Sequence, residues 1–279
     1  MVRSLAVALA CLCLVSLASA QSQPAPGTTP QTGAPPAKPV AKKSLSKAKA
    51  AVKQPAVTET GPCKLGVISA VGDRFAVQKF GLTVFENEES EIPIDWGLDD
   101  LVVARVRATT GADPTIRRIA YPKAAFEPFY HPTSRFWPDP REGLTAIVQS
   151  ITLNANCERY LVVTRFKGQI PGTNLTIDGV GTYNQGLGPL LRHSHLFANI
   201  AVNVLDGRTY EKIAHPFANF GARLSEGLRL TGDPLTNLDN SLFPEPAAAA
   251  ASSATLRERT RALVAARLDQ ALPAQLNAE

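Results

Sequence analysis

Seven carboxylates fall between positions 86 and 100 with no basic residue among them: Glu86, Glu88, Glu89, Glu91, Asp95, Asp99 and Asp100. Two such groups held in a cleft that raises one pKa can do general acid–base work. The plainer reading is preferred: a solvated loop feeding the positive end of a helix. The spacing is not that of a calcium loop. His193 and His195 lie two apart and share a face if that stretch is extended. With His131 or His215 as a third ligand they could hold a metal, but nothing in the spacing requires one. Gly72-Asp73-Arg74 carries arginine where one esterase motif needs its serine, so it reads as a turn. There is no nucleophile elbow, phosphate loop or zinc-protease helix motif.

Residues 126–140 are the most unusual. Phe126, Phe129, Tyr130, Phe136 and Trp137 crowd a stretch stiffened by Pro128, Pro132, Pro138 and Pro140. The stretch follows a predicted strand, and open α/β sheets bind ligands at the carboxyl ends of their strands. Rigid aromatic rings beside a guanidinium suit glycan stacking or the anchor of a protein interface. Phe129, Tyr130, His131, Arg135 and Trp137 are therefore the candidate ligand- or partner-binding set. The competing reading is a lid packed over the sheet with its rings in the core.

The elements that would position these residues follow from apolar periodicity. Leu65 to Val71, the turn Gly72-Asp73 and Arg74 to Phe80 read as a hairpin, which 82–85 extends. Asp95 can cap a helix whose apolar positions are Leu98, Leu101, Val102 and Val106. Thr115 to Tyr121 reads as a strand. Leu144, Ile147, Val148 and Ile151 define a helix over 142–153. Arg159 to Phe166 has the fully apolar centre of a buried strand, and 177–183 is a weaker one. Phe197 to Leu205 alternates cleanly, and Asp206-Gly207 turns it into a strand ending at Ile213. Thr255-Leu-Arg-Glu258 reads as a capping box opening a C-terminal helix over 253–271. The order predicts a single α/β domain over 61–279. Its three-layer arrangement has a mixed sheet, with a parallel centre and antiparallel hairpins, covered by helices.

The N-terminus reads as an export signal. Arg3 precedes an apolar run from Leu5 to Leu17, and Ala18-Ser19-Ala20 supplies small residues at a cleavage site. Residues 1–20 are too short an apolar segment to stay as a membrane anchor, and Cys11 lacks the flanks of a lipidation site. No later segment has the apolar length to span a bilayer. Residues 21–60 are a Pro/Ala/Lys-rich tether with no aromatic residue, a composition that predicts disorder. Its coil span is on the order of 35 Å. The tether holds six lysines, which can serve a plain spacer or rest on an anionic polymer. Removing these and Arg3 from the 29 basic residues leaves 22 for 61–279, and removing Glu59 from the 24 acids leaves 23. The folded part is near neutral, which argues against a nucleic-acid partner. Cleavage after Ala20 leaves Cys63 and Cys157, each just before a predicted strand. If those strands are parallel neighbours, the two thiols meet as a disulfide in an oxidising compartment.

From Lys64 to about Ile213 the layout resembles exported proteins of alphaproteobacteria. The features are Leu65-Gly-Val-Ile-Ser-Ala-Val-Gly-Asp73, Phe80-Gly-Leu-Thr-Val-Phe85, Trp96-Gly-Leu-Asp-Asp-Leu-Val-Val-Ala-Arg105 and Tyr160-Leu-Val-Val-Thr-Arg165. In element order it is also similar to small periplasmic α/β modules of the curli-secretion-lipoprotein and penicillin-binding-protein-activator type. That resemblance implies a module that binds partners rather than one that catalyses. The expectation is a periplasmic or secreted accessory protein without a cofactor. Its partner would be an envelope protein or an anionic or glycan polymer. The alternative is an envelope hydrolase using the acidic stretch or the histidines.

Overall fold

A computed structural model describes residues 61–81, 84–134, 136, 139–170, 172–186, 192–213 and 235–276. The expected leader and tether, His215, Arg135 and Trp137 lie outside the described residues. The described residues form an α/β domain with mixed sheets and covering helices, the class expected.

The strand β1, Leu65–Ala70, is buried at all six positions. A strand apolar on both faces needs a cover on each, and that is the demand of a central parallel strand. β1 is flanked on both edges by parallel partners: β4 (Ile116–Arg118) on one side and β5 (Arg159–Arg165) on the other. β10 (Ile200–Asp206) completes this sheet, antiparallel to β5, giving the order β10-β5-β1-β4. Alternation along β1 divides the core. Leu65 and Val67 face α1 (Leu98–Thr109) and α4 (Ala254–Leu276), among Val102, Val106, Val264 and Leu268. Ile68 and Ala70 face α3 (Leu144–Ile151), with Ile147 and Val148.

A second sheet has the order β11-β9-β8-β2-β3, from Leu235–Leu238, Arg192–Ala198, Val180–Gly186, Arg74–Phe80 and Glu88–Pro93. Its Phe75, Val77, Val180 and Leu196 enter the same core as α1 and α4. A short ribbon pairs β6 (Lys167–Gln169) with β7 (Thr176–Asp178).

The two-sheet layout alters several local expectations. β1 and β2 do not form a hairpin. Both edges of β1 are already taken, so the chain turns at Gly72 (φ 58) and crosses to the other sheet. A positive φ of this kind is cheap only for glycine. The alternating run 197–205 likewise breaks at Asn199, which is buried and donates through Nδ2 to Ile177 O at 3.1 Å. Residues before Asn199 belong to one sheet and those after it to the other. The Asp206-Gly207 turn is present, with Asp206 Oδ1 accepting from Arg208 N and Thr209 N at 2.8 Å. Its return is one bridge, Leu205 to Lys212, rather than a strand. The cap of α4 is Ser253, whose Oγ accepts from Leu256 N at 3.3 Å, and the helix runs through Pro273 to Leu276. Asp95 does not cap α1; Gly97 takes that place at φ 62 with no side-chain bond.

Cys63 and Cys157 are disulfide-bonded, 94 residues apart in sequence, with Cα atoms 4.5 Å apart. The bond joins the amino ends of β1 and β5, and Glu158 N donates to Cys63 O beside it at 2.9 Å. Closing a loop of this length removes unfolded-state entropy worth about 4–5 kcal/mol. Replacing both cysteines by alanine should therefore lower the unfolding free energy in urea by about 4 kcal/mol. An unchanged midpoint would show that the bond adds nothing to what the sheet already holds.

Candidate functional site

From β1 the chain builds β2 and β3 of the other sheet and returns through α1 to reach β4 on one side. It then crosses back through α3 to reach β5 on the other side of β1. Where successive connections run in opposite directions, a crevice opens beyond the carboxyl ends of the strands. A cleft of about 900 Å³ lies at that place. Its wall is built from 69–74 at and after the end of β1, 94–100 at the start of α1, 118–121 with Lys123 and Ala124 at and after the end of β4, and Arg165 at the end of β5. Glu127 and Tyr130 of α2 (Glu127–Tyr130) close one side.

β4 is short, pairing only with Leu65, Gly66 and Val67. Two tyrosines serve the carbonyls beyond that point. The Tyr121 hydroxyl donates to Ser69 O, and the Tyr130 hydroxyl donates to Ala70 O at 2.6 Å. Tyr130 Oη also accepts from Arg165 N at 3.2 Å, and the Arg165 guanidinium carbon sits 4.5 Å from the Tyr130 ring centre. Burial raises both phenols above the usual tyrosine pKa, so both stay protonated donors near neutral pH.

On the α1 side, Asp99 Oδ1 accepts from Ser69 Oγ at 2.6 Å and from Gly72 N at 3.1 Å. This carboxylate fastens the start of the helix to the end of β1. Ser69 is only 6% exposed, and its hydroxyl proton is given to Asp99. It stands as a brace rather than as an accessible nucleophile.

The sequence-derived candidates are only partly brought together. Tyr130 lines the cleft and Phe129 packs beside it, with ring centres 5.3 Å apart. Phe126 is 2% exposed and belongs to the core, as a packed lid requires. Phe136 is 89% exposed. His131 points to solvent and pairs with Glu127 at 3.7 Å. The acidic stretch does not form one site. Glu88, Glu89 and Glu91 lie on the edge strand β3 against Lys79, Gln78 and Arg74, whereas Asp95, Asp99 and Asp100 line the cleft. His195 stacks on Tyr183 with ring centres 5.0 Å apart. Among the described residues no three His, Cys, Asp or Glu side chains are placed to hold a metal.

Sequence reading passed over Ser69, Tyr121 and Arg165. Their common signal is that each lies at or just past the carboxyl end of a predicted strand. Comparison with protein-family models, curated proteins and solved structures found no match for this chain.

Tyr130→Phe deletes the hydroxyl that serves both Ala70 O and Arg165 N. Leaving buried backbone groups unpaired costs about 1–3 kcal/mol. Urea unfolding of the variant should show a loss in that range, and an unchanged unfolding free energy would show that water replaces the hydroxyl.

Proposed function

We propose that this chain is an exported module of the cell envelope that binds an envelope component in the cleft at the carboxyl ends of β1, β4 and β5. The observation that carries the reading is the cleft's position: about 900 Å³ at the strand-order reversal, the range of volume that pockets for small ligands occupy. Export is supported by the apolar leader ending in Ala18-Ser19-Ala20 and by the Cys63–Cys157 disulfide, a bond that persists in oxidising compartments. A lysine-rich segment at 21–60 suits a domain held at a distance from an anionic surface.

Binding is favoured over hydrolysis by the way the polar groups are engaged. The Ser69 hydroxyl is braced against Asp99, and Glu88, Glu89 and Glu91 sit on an edge strand beside polar or basic partners. An exposed acidic edge of this kind also guards a sheet against pairing with another chain.

The test uses the chain expressed with its leader in a bacterium. The protein recovered from the periplasmic extract should begin at Gln21 and should co-sediment with isolated cell-wall polymer or envelope membranes. Ala124 is exposed on the cleft wall, so Ala124→Trp plugs the cleft at little cost to the fold. Retention should drop at least tenfold while the thermal midpoint moves by less than about 2 °C. Undiminished retention of the plugged variant, or none of the native chain, would remove the cleft from the account.

A further inference from the structure

The charges around the cleft do not all cancel. Arg74 reaches Glu127 at 3.2 Å, Arg118 pairs with Asp100, and Lys123 lies 3.8 Å from Asp73. Asp95 is exposed at the rim. Two charges deeper in the wall have no ion-pair partner among the described residues: Arg165 and Asp99.

Arg165 is held in place rather than free to wander. Its guanidinium lies over the Tyr130 ring, its aliphatic stem fills the space beside Gly179, and its Nε is buried without a hydrogen-bond acceptor among the described residues. Asp178 feels its field but lies beyond ion-pair distance. A fixed planar guanidinium without an ion-pair partner among the described residues suits a carboxylate or phosphate oxygen. Asp99 is held in an equally definite way. Both bonds it receives go to Oδ1, which leaves Oδ2 without a partner among the described residues. The two charges line the same cleft. Asp99 raises the Tyr130 phenol and Arg165 lowers it, both acting on top of burial.

We propose that the cleft takes a zwitterionic ligand whose carboxylate is read by Arg165 and whose ammonium faces Asp99. Such a ligand is a free amino acid or short peptide, or the amino-acid end of a larger envelope polymer. The proposal rests on the cleft reading above and names the ligand class. A purely anionic ligand would satisfy Arg165 but would meet Asp99 unscreened. A purely cationic one would leave the Arg165 charge uncompensated.

Calorimetric titration of the processed full chain with alanine, alanyl-alanine, its N-acetyl form, its C-terminal amide and inorganic phosphate tests this. At least one zwitterionic probe should bind saturably, and masking either end should weaken binding at least tenfold. Arg165→Met keeps the stem, and Asp99→Asn keeps the Oδ1 acceptor for Ser69 and Gly72. Each should weaken binding at least tenfold with an unchanged circular dichroism spectrum. Arg165→Lys should not restore it, because a point charge lacks the fork. If the bound probe also displaces the chain from cell-wall polymer, the ligand is a polymer end; if it binds without displacing, the ligand is the free solute. Equal binding of N-acetyl-alanyl-alanine or phosphate, or no zwitterion binding at millimolar concentration, would overturn the assignment. If retention on the envelope stays sensitive to Ala124→Trp in that case, only the ligand class falls. If retention is also unaffected by Ala124→Trp, the cleft reading falls with it.

Discussion

Everything in the described domain depends on β1 being buried on both faces and paired on both edges. Six consecutive buried residues cannot sit at the margin of a sheet. Parallel neighbours on each side force helical crossovers, and α1 and α3 supply them on opposite faces. The disulfide fixes the amino ends of β1 and β5 together. With that end closed, the carboxyl ends lie in register, Ala70 opposite Thr164. A crevice opens beyond them, where the chain departs in two directions.

The cleft is therefore a by-product of topology that polar groups have finished. β4 stops pairing at Val67, so the strand end needs other donors. Tyr121, just after β4, and Tyr130, at the end of α2, provide them. Asp99 ties the first turn of α1 back to Ser69 and Gly72. Each of these bonds is short-range in space and long-range in sequence. That arrangement lets a loop-built wall be as well defined as the sheet beneath it.

Elements whose burial pattern is local were legible in the sequence. The apolar runs of β1 and β5 and the i, i+3, i+4, i+7 pattern of α3 rest on side chains that act near their own strand or helix. The long-range pairing of Cys63 with Cys157 was legible because each cysteine directly precedes one of those two strands. What was not legible depended on partners far along the chain. Gly72-Asp73 has the chemistry of a hairpin turn, but β4 and β5 had already claimed the edges of β1. The run 197–205 alternates without a break, yet a buried Asn199 bonded to Ile177 sends it from one sheet to the other. In the site, the aromatic stretch pointed to Tyr130 and Phe129. Arg165 looked like the polar end of a strand, and Asp99 like a helix-dipole acid, until the fold brought both to the wall of one cleft.

The most direct test of the account is an amide NMR map of the isotope-labelled chain from residue 21 onward during addition of solubilised cell-wall fragments. Shifts clustered at Gly72, Asp99, Tyr130 and Arg165 are the predicted result. Shifts confined to the acidic edge strand 88–93, or scattered over the surface without the carboxyl ends of β1 and β5, would contradict it.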